Sequence, residues 1–455
     1  MLDWFRDCVV YQVFPDLFNP CCQVNKLPTG YYGGTIKGIT EKLDYVKDLG
    51  FNAIYINPIF KAKSSHRYNV LDFFQIDPIL GTSEDFEELV EQAHDKGIKI
   101  ILDIPFNHVS DNHPFFVDVL KNENSKYKNF FLKKNGEYQR WRGSDLVELN
   151  LDNEDVKKYL FTSRNSVLKY WIKKGIDGIR LDCANDIGIE ILKLIVRESK
   201  KEKKDILIMG EVFNYAEDWS YILDSLQSYY LTGILFSLIK GEISLSSFSS
   251  AYAFVYERYR FETLLNSLNI LSSHDTPRIL DMFPLDLGIY NMLLTVQFTF
   301  PGVPVVLYGE EVGLKNDGNL SRVPMVWDES KWNKDILALY KKFIDLRKMR
   351  VELRRGKFLD FSSLSDYKIL SYIRYTEKRH EFSIVLINPS DKKFELKVFI
   401  PYSHLHDAIR LCDVFSDDKF LCEISAIRVK MEPYQVRVLL PEPEYIGGYT
   451  FFKRH

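Results

Sequence analysis

From residue 9 to about residue 345, short apolar runs rich in β-branched residues alternate with helix-length amphipathic segments. The runs at residues 9–14, 53–56, 99–103, 178–181 and 206–209 predict the first five strands. Residues 268–271 and 304–307 predict the seventh and eighth, and the sixth is placed near residues 231–237. A helix is predicted over residues 83–96, opened by a Ser cap with Glu at capping-box spacing and ended at Gly97. Strand–helix alternation sustained over eight units predicts a parallel sheet closed into a barrel.

Two stretches break the rhythm. Residues 108–150 are polar and aromatic, without a helical period, and carry the turn signals Asn112-His113-Pro114 and Lys134-Asn135-Gly136. A connection this long inside a compact domain is usually functional or a small subdomain. Beyond about residue 350, apolar runs at 367–375, 382–387, 394–400 and 436–440 follow one another without helices, which predicts an antiparallel β-sandwich. The predicted fold class is therefore α/β, a (β/α)8 TIM barrel from residues 1–107 and 151–350. A small domain at 108–150 is inserted after strand three. A C-terminal antiparallel β-sandwich domain spans 351–441, and an aromatic tail, read as structural, spans 442–455.

Composition narrows the function classes. The 455 residues are 46% hydrophobic and 27% charged with a net charge of −3, so no electrostatic footprint for nucleic acid or an anionic membrane is present. The aromatic fraction of 14% mostly builds core and also suits a protein that stacks sugar rings. The N-terminus does not read as a signal peptide and no apolar run is long enough to span a bilayer, so a cytoplasmic location is expected. Six cysteines are too sparse for a disulfide scaffold. Cys183 is expected to be buried, and a Cys412–Cys422 bridge is left open. Lys200–Lys204 reads as a solvated turn, and His94 and His113 as surface or loop residues.

The chemistry lies at strand ends. Asp103-Ile-Pro-Phe-Asn107-His108, Gly178-Ile-Arg180-Leu-Asp182, Met209-Gly-Glu211 and Ser272-Ser-His274-Asp275 each follow an apolar run and bring a carboxylate to its end. Barrel enzymes collect their chemistry at this end of the strands. Glycoside hydrolysis needs two carboxyl groups flanking the scissile bond, one protonated and one ionised. Arg180 lies two residues before Asp182, so strand alternation points both side chains the same way and favours an ionised Asp182. The apolar surroundings of Glu211 favour a raised pKa, as a general acid requires. His108 and His274 are suited to donate to sugar hydroxyls.

At these residues the chain resembles the α-amylase family of glycoside hydrolases. The four segments match that family's four motif regions in order, and Gly302-Val-Pro-Val-Val-Leu-Tyr-Gly-Glu310 is similar to its eighth-strand segment. The resemblance implies a retaining two-step mechanism with Asp182 as nucleophile and Glu211 as acid and then base. Asp275 would stabilise the transition state. It also implies that His108, Arg180 and His274 complete the subsite and that Tyr68, beside His66, is the aromatic platform under the sugar. Phe213 would line the leaving-group side or only pack. Asp103 and Asn107 read as structural residues near the site.

Softer features resemble the cyclomaltodextrinase, neopullulanase and maltogenic amylase group: Leu149-Asn150-Leu-Asp-Asn153, Ala184-Asn185-Asp186, and Arg322-Val-Pro-Met-Val-Trp327. Glu148, Asn69, Asp186 and Val323 depart from that group, which usually has Lys, Asp, Glu and Arg there. The group also usually carries an extra N-terminal β domain, for which a first strand at residue 9 leaves no room. Oligomeric state is therefore not implied. No cofactor or metal is expected; Asn107 matches a Ca2+ ligand in many family members, which leaves calcium open. The expected partner is an α-glucan oligosaccharide. An α-glucosidase, a sucrose- or trehalose-acting enzyme or a glucanotransferase of the same fold is the alternative. A non-catalytic relative is remote, because such a protein should have lost one of the three carboxylates.

Overall fold

The structure, a computed structural model, describes residues 2–20, 30–284, 286–316, 322–405 and 409–442. Cys21, Cys22 and the tail beyond residue 442 lie outside the described residues. Two compact units divide the chain. The first holds Met1–Tyr229, Tyr259–Met282 and Val303–Leu337, and the second Tyr230–Arg258, Phe283–Gly302 and Ala338–His455.

The first unit contains a closed barrel. Its strands are β1 (Val10–Val13), β2 (Ala53–Ile56), β3 (Lys99–Ile104), β4 (Gly178–Leu181), β5 (Leu207–Val212), β6 (Ser225–Ser228), β7 (Leu268–Ile270) and β8 (Val303–Leu307). Each pairs in parallel with the next, and β8 closes on β1 with Val305 opposite Val10. Val10, Ala53, Ile101, Leu207, Leu268 and Val303 belong to one buried apolar cluster. Leu2 and Phe5, flanking and within the short helix Asp3–Arg6, join that cluster. A cavity of about 390 Å³ lined by Arg6, Lys200, Asp224 and Arg260 lies near the strands' starts and involves none of the four motif segments.

The sixth strand differs from its expected place. Residues 231–237 belong to the helix Tyr230–Ile239, and the strand is the preceding Ser-Leu-Gln-Ser. It has a single apolar residue, so hydropathy passes over it, and its place is set by pairing with β5. The helix after β2 spans Ser83–Asp95, and its cap is Thr82. Thr82 accepts from the Asp85 N–H while the Asp85 side chain accepts from the Thr82 N–H, closing a capping box one residue earlier than expected. Gly97, at φ 73°, follows the helix in the left-handed conformation that favours glycine. Lys200 and Lys201 are helical, within Ile189–Glu202, and Lys200 pairs with Asp224 at 2.7 Å, so the charge run is only partly a turn.

Residues 108–150 contain a ladder of His108–Ser110 against Leu146–Glu148, a second of Lys133–Lys134 against Glu137–Tyr138, and a helix at Pro114–Lys121. The helix was not expected from hydropathy: it is only eight residues long and is started by Pro114 and a His113 cap. His113 is buried, 3% exposed, because its ring accepts from the Phe115 N–H and packs on the Phe115 ring.

In the second unit a six-stranded sheet and the pair Phe394–Phe399 with Ala426–Met431 enclose an apolar core that includes Ile373, Ile384, Leu386, Val398 and Ile427. The helices Leu245–Arg258 and Leu287–Thr299 share this unit. The Thr299 hydroxyl meets the Tyr372 hydroxyl at 2.6 Å, and Arg374 donates to the Thr299 carbonyl. Cys412 and Cys422 are not joined in a disulfide, and Cys183 is buried.

Candidate active site

Parallel register builds the site. Arg180 on β4 sits opposite Asp103 on β3, and Glu211 on β5 opposite Gln227 on β6. These polar side chains lie toward the C-terminal ends of their strands, beyond the apolar cluster of the barrel. Asp182 follows β4 directly, while His274 and Asp275 stand in the segment after β7.

Arg180 is the hub. Fully buried, it donates to both Asp103 oxygens at 2.9 and 3.0 Å, to Asp182 Oδ1 at 2.7 Å, and to Gln227 at 3.0 Å. Its Nη2 also faces Glu211 Oε1 at 2.6 Å, outside hydrogen-bonding angles. Burial alone disfavours the charged guanidinium, but Asp103 and Glu211 keep it charged. Removing such a partner strands buried carboxylates. Arg180→Met is expected to destabilise the fold by about 3–5 kcal/mol, read as a lower urea midpoint; an unchanged midpoint would contradict the hub.

The two carboxyls beside Arg180 differ in environment. Burial pushes the Glu211 carboxyl up to about 8; Arg180 opposes this, and the nearby Asp182 and Asp275 add to it. Glu211 Oε2 accepts the Cys183 N–H at 3.1 Å. An oxygen of Asp182 and one of Glu211 lie within 4.8 Å of each other. Asp275 is different again. Burial disfavours its charge, but His274 at 2.9 Å and Arg322 at 2.7 Å hold its carboxyl well below the usual range. Burial raises Asp103 despite Arg180.

Around these groups lies an ordered polar wall. Tyr68 stacks on His274 with ring centroids 5.7 Å apart, and its hydroxyl donates to Asp103 at 2.8 Å. His66 stacks on Tyr68 at 5.9 Å. His108 is 1% exposed with Nε2 3.8 Å from Asp182 Oδ2, and neither ring nitrogen makes a hydrogen bond. Burial lowers both histidines to about 4, with Arg322 contributing at His66, so both present neutral rings near pH 7. Phe213 is exposed and stacks on Tyr229 at 5.5 Å. Asn107 is buried on the approach to His108, its amide nitrogen without a hydrogen bond. Direct contacts thus join Asp103, Arg180, Asp182, His66, Tyr68, His274, Asp275 and Arg322.

Several participants were not visible in the sequence. Gln12 and Asn57 bond the His274 ring, and Tyr55 donates to Asp103 at 3.0 Å. Gln12 had a signal, being the one polar residue inside the apolar run Val-Tyr-Gln-Val of β1. Trp141 and Arg142 come from the inserted segment. Trp141 packs 5.8 Å from the His108 ring and donates to Asp186 at 2.9 Å. Arg142 lies over both Trp141 and Phe213, 4.7 and 5.5 Å from their centroids. Its left-handed backbone, φ 47°, gives no sequence signal in a residue other than glycine.

The chain is similar to known proteins in sequence and in fold. The alpha amylase catalytic domain family matches residues 12–337. A cyclomaltodextrinase of Thermoanaerobacter pseudethanolicus is 35% identical over 418 residues, covering 86% of this chain and 71% of the relative. An intracellular maltogenic amylase of Bacillus subtilis is 34% identical over 409 residues, covering 81% and 68%. The structure of cyclic α-maltosyl-(1→6)-maltose hydrolase from Arthrobacter globiformis, in complex with that cyclic sugar, superposes with a TM-score of 0.83. It is 27% identical and covers 96% of this chain and 99% of its own. With the family match running from β1 past β8, and so across all four carboxylate segments of the barrel, this chain belongs to the alpha-amylase family of glycoside hydrolases.

Proposed function

We propose that the protein is a retaining α-glucan hydrolase that cleaves α-1,4-glucosidic bonds of short linear or cyclic maltooligosaccharides by double displacement. The observation that carries this is the pair Asp182 and Glu211. One is ion-paired with Arg180, the other is held protonated near neutrality, and their oxygens lie within 4.8 Å. Retaining glycosidases place their carboxyls about 5–5.5 Å apart, against about 6.5–9.5 Å in inverting ones.

In the first step Glu211 gives its proton to the glycosidic oxygen while an Asp182 oxygen bonds the anomeric carbon. The leaving sugar departs with the proton. In the second step Glu211, now a carboxylate, takes a proton from water, whose oxygen attacks the same carbon and frees Asp182. Asp275, ionised and fixed by His274 and Arg322, offsets the positive charge that develops on the sugar in both steps. Tyr68 supplies the apolar platform, and His108 offers an unoccupied ring N–H to a hydroxyl.

The substrate class is supported by the relatives, a cyclomaltodextrinase, a maltogenic amylase and a cyclic α-maltosyl-(1→6)-maltose hydrolase, and by the aromatic and cationic group of Trp141, Arg142 and Phe213 beside His108. A location inside the cell is supported by the relative named intracellular. No helix among the described residues is long and apolar enough to cross a membrane.

A product time-course on maltotriose, β-cyclodextrin, cyclic α-maltosyl-(1→6)-maltose, pullulan and starch tests the proposal. Rapid opening of a cyclic substrate is the expected result. Glucose release from maltotriose with rings untouched would instead make the protein an oligosaccharide α-glucosidase. Trp141→Ala removes the ring between His108 and Arg142. It is expected to raise KM for maltotriose by a few-fold to about tenfold, with kcat changed less. An unchanged KM would place Trp141 outside the sugar path.

A further inference from the structure

Tyr308 follows β8 and Glu310 lies two residues on. They are 0% and 1% exposed and take no part in the two displacement steps. Gly309 between them, at φ 85°, makes a turn that favours glycine, and a Cβ there would meet Leu314 at 2.6 Å. Both residues reach the surroundings of Asp275, by two separate arms.

The first arm runs through Arg278, three residues after Asp275 and fully buried. Its Nη1 donates to the Tyr308 carbonyl at 2.9 Å and to Glu310 Oε1 at 3.4 Å, and its guanidinium lies 5.0 Å from the Tyr308 ring centroid. Burial pushes the Glu310 carboxyl up to about 7, while Arg278, the Ser272 hydroxyl and the Ile279 N–H pull it down. Glu310 therefore meets the segment on both sides of Asp275, near Ser272 before it and near Arg278 and Ile279 after it. The second arm runs through Val323, whose carbonyl accepts from the Tyr308 hydroxyl at 2.6 Å. The neighbouring Arg322 donates to the His274 carbonyl at 3.1 Å and to Asp275 Oδ1 at 2.7 Å.

The segment needs such anchors. β7 has three residues, and Asp275 stands five positions beyond its end. The turn bonds of the segment join it to itself: the Asp275 N–H donates to the Ser273 hydroxyl at 3.2 Å, and the Ser273 N–H to the Thr276 hydroxyl at 2.8 Å. A catalytic group misplaced by about an ångström loses about 10²-fold in rate.

We propose that Tyr308 and Glu310 are positioning residues that fix Asp275 for transition-state stabilisation, Glu310 through Arg278 and Tyr308 through Val323 and Arg322. A buried pair such as Arg278 and Glu310 is often no more stabilising than apolar residues of the same volume, so stability alone does not account for it. The inference rests on the proposed hydrolysis, in which Asp275 faces the charge that develops on the sugar.

Double-mutant cycles on the full-length chain test it. Tyr308→Phe and Glu310→Gln are each made alone and together with Asp275→Asn. Two quantities are followed: kcat on α-maltosyl fluoride, and the Kd of 1-deoxynojirimycin, whose protonated ring nitrogen mimics the charge on the sugar. Each single substitution is expected to lower kcat about 10- to 100-fold, with KM changed less, and to weaken iminosugar binding about tenfold. Neither should change the Asp275→Asn enzyme by more than about twofold in either quantity. Equal factors in both backgrounds would make the residues structural only and overturn the proposal. Wild-type kcat and Kd in Tyr308→Phe would remove the Val323 arm, and in Glu310→Gln the Arg278 arm. Tyr308→Phe deletes one hydroxyl and no charge, so its cycle carries the test if Glu310→Gln does not fold. A wild type inactive on every α-glucan would overturn the proposed function and leave the iminosugar cycle to test positioning. No iminosugar binding by wild type would overturn the positioning of Asp275 itself.

Discussion

Asp182→Asn is expected to lower kcat on maltooligosaccharides by about 10⁴-fold or more, while the variant still binds maltose. The amide keeps the shape and an acceptor oxygen for Arg180 but cannot form a stable ester with the anomeric carbon. Binding in this scheme rests on Tyr68, His274 and Asp275, which bond one another and Asp103 rather than Asp182. Calorimetric titration of maltose separates the two effects. Retained turnover would remove Asp182 as nucleophile, and lost binding would make it a positioning residue.

Glu211→Gln is the second large effect, about 10²–10⁴-fold in kcat on glucans. The loss should depend on the leaving group. A 4-nitrophenyl α-glycoside departs without protonation, so formation of the glycosyl-enzyme should survive and release a burst of nitrophenol. Equal loss on both substrates would contradict the acid role. In wild type, kcat/KM should fall as pH rises through about 8, where Glu211 loses its proton. Glu211→Gln should lack that limb in its burst rate.

The same carboxyl links stability to pH. Its folded-state pKa of about 8 lies above its ordinary 4.5, so between those values the folded state holds a proton that the unfolded chain has lost. Stability contributed by the protonated group is complete below pH 4.5 and declines toward pH 8. Glu211→Gln escapes the decline, and its Tm advantage over wild type should be larger at pH 8 than at pH 5. A constant difference would contradict the raised pKa.

Much of this was legible in the sequence because the barrel repeats one rule. An apolar strand buries its sides and ends in a polar group, so Asp103, Asp182 and Glu211 announced themselves. Where the rule weakens, reading failed. β6 is Ser-Leu-Gln-Ser, and Gln227 inside it accepts from Arg180, so its polarity serves the site and hides the strand. The Thr82 cap displaced the expected Ser83 because Asp85, three residues on, completes a box that only the backbone reveals. Trp141 and Arg142 sit in a segment without periodicity, and only folding carries them to His108 and Phe213. The Asn57, Tyr68 and His274 network joins the stretch after β2 to a residue 206 positions further on, with no local pattern to mark it.

Double displacement at Asp182 is tested most directly by proton NMR of the first products from maltotriose or a ring-opened cyclic sugar, recorded before mutarotation. New reducing ends appearing as the α anomer, relaxing later to the equilibrium mixture, are the predicted result. Initial β anomer would mean that water attacks directly, and would contradict the assignment of Asp182 as a covalent nucleophile.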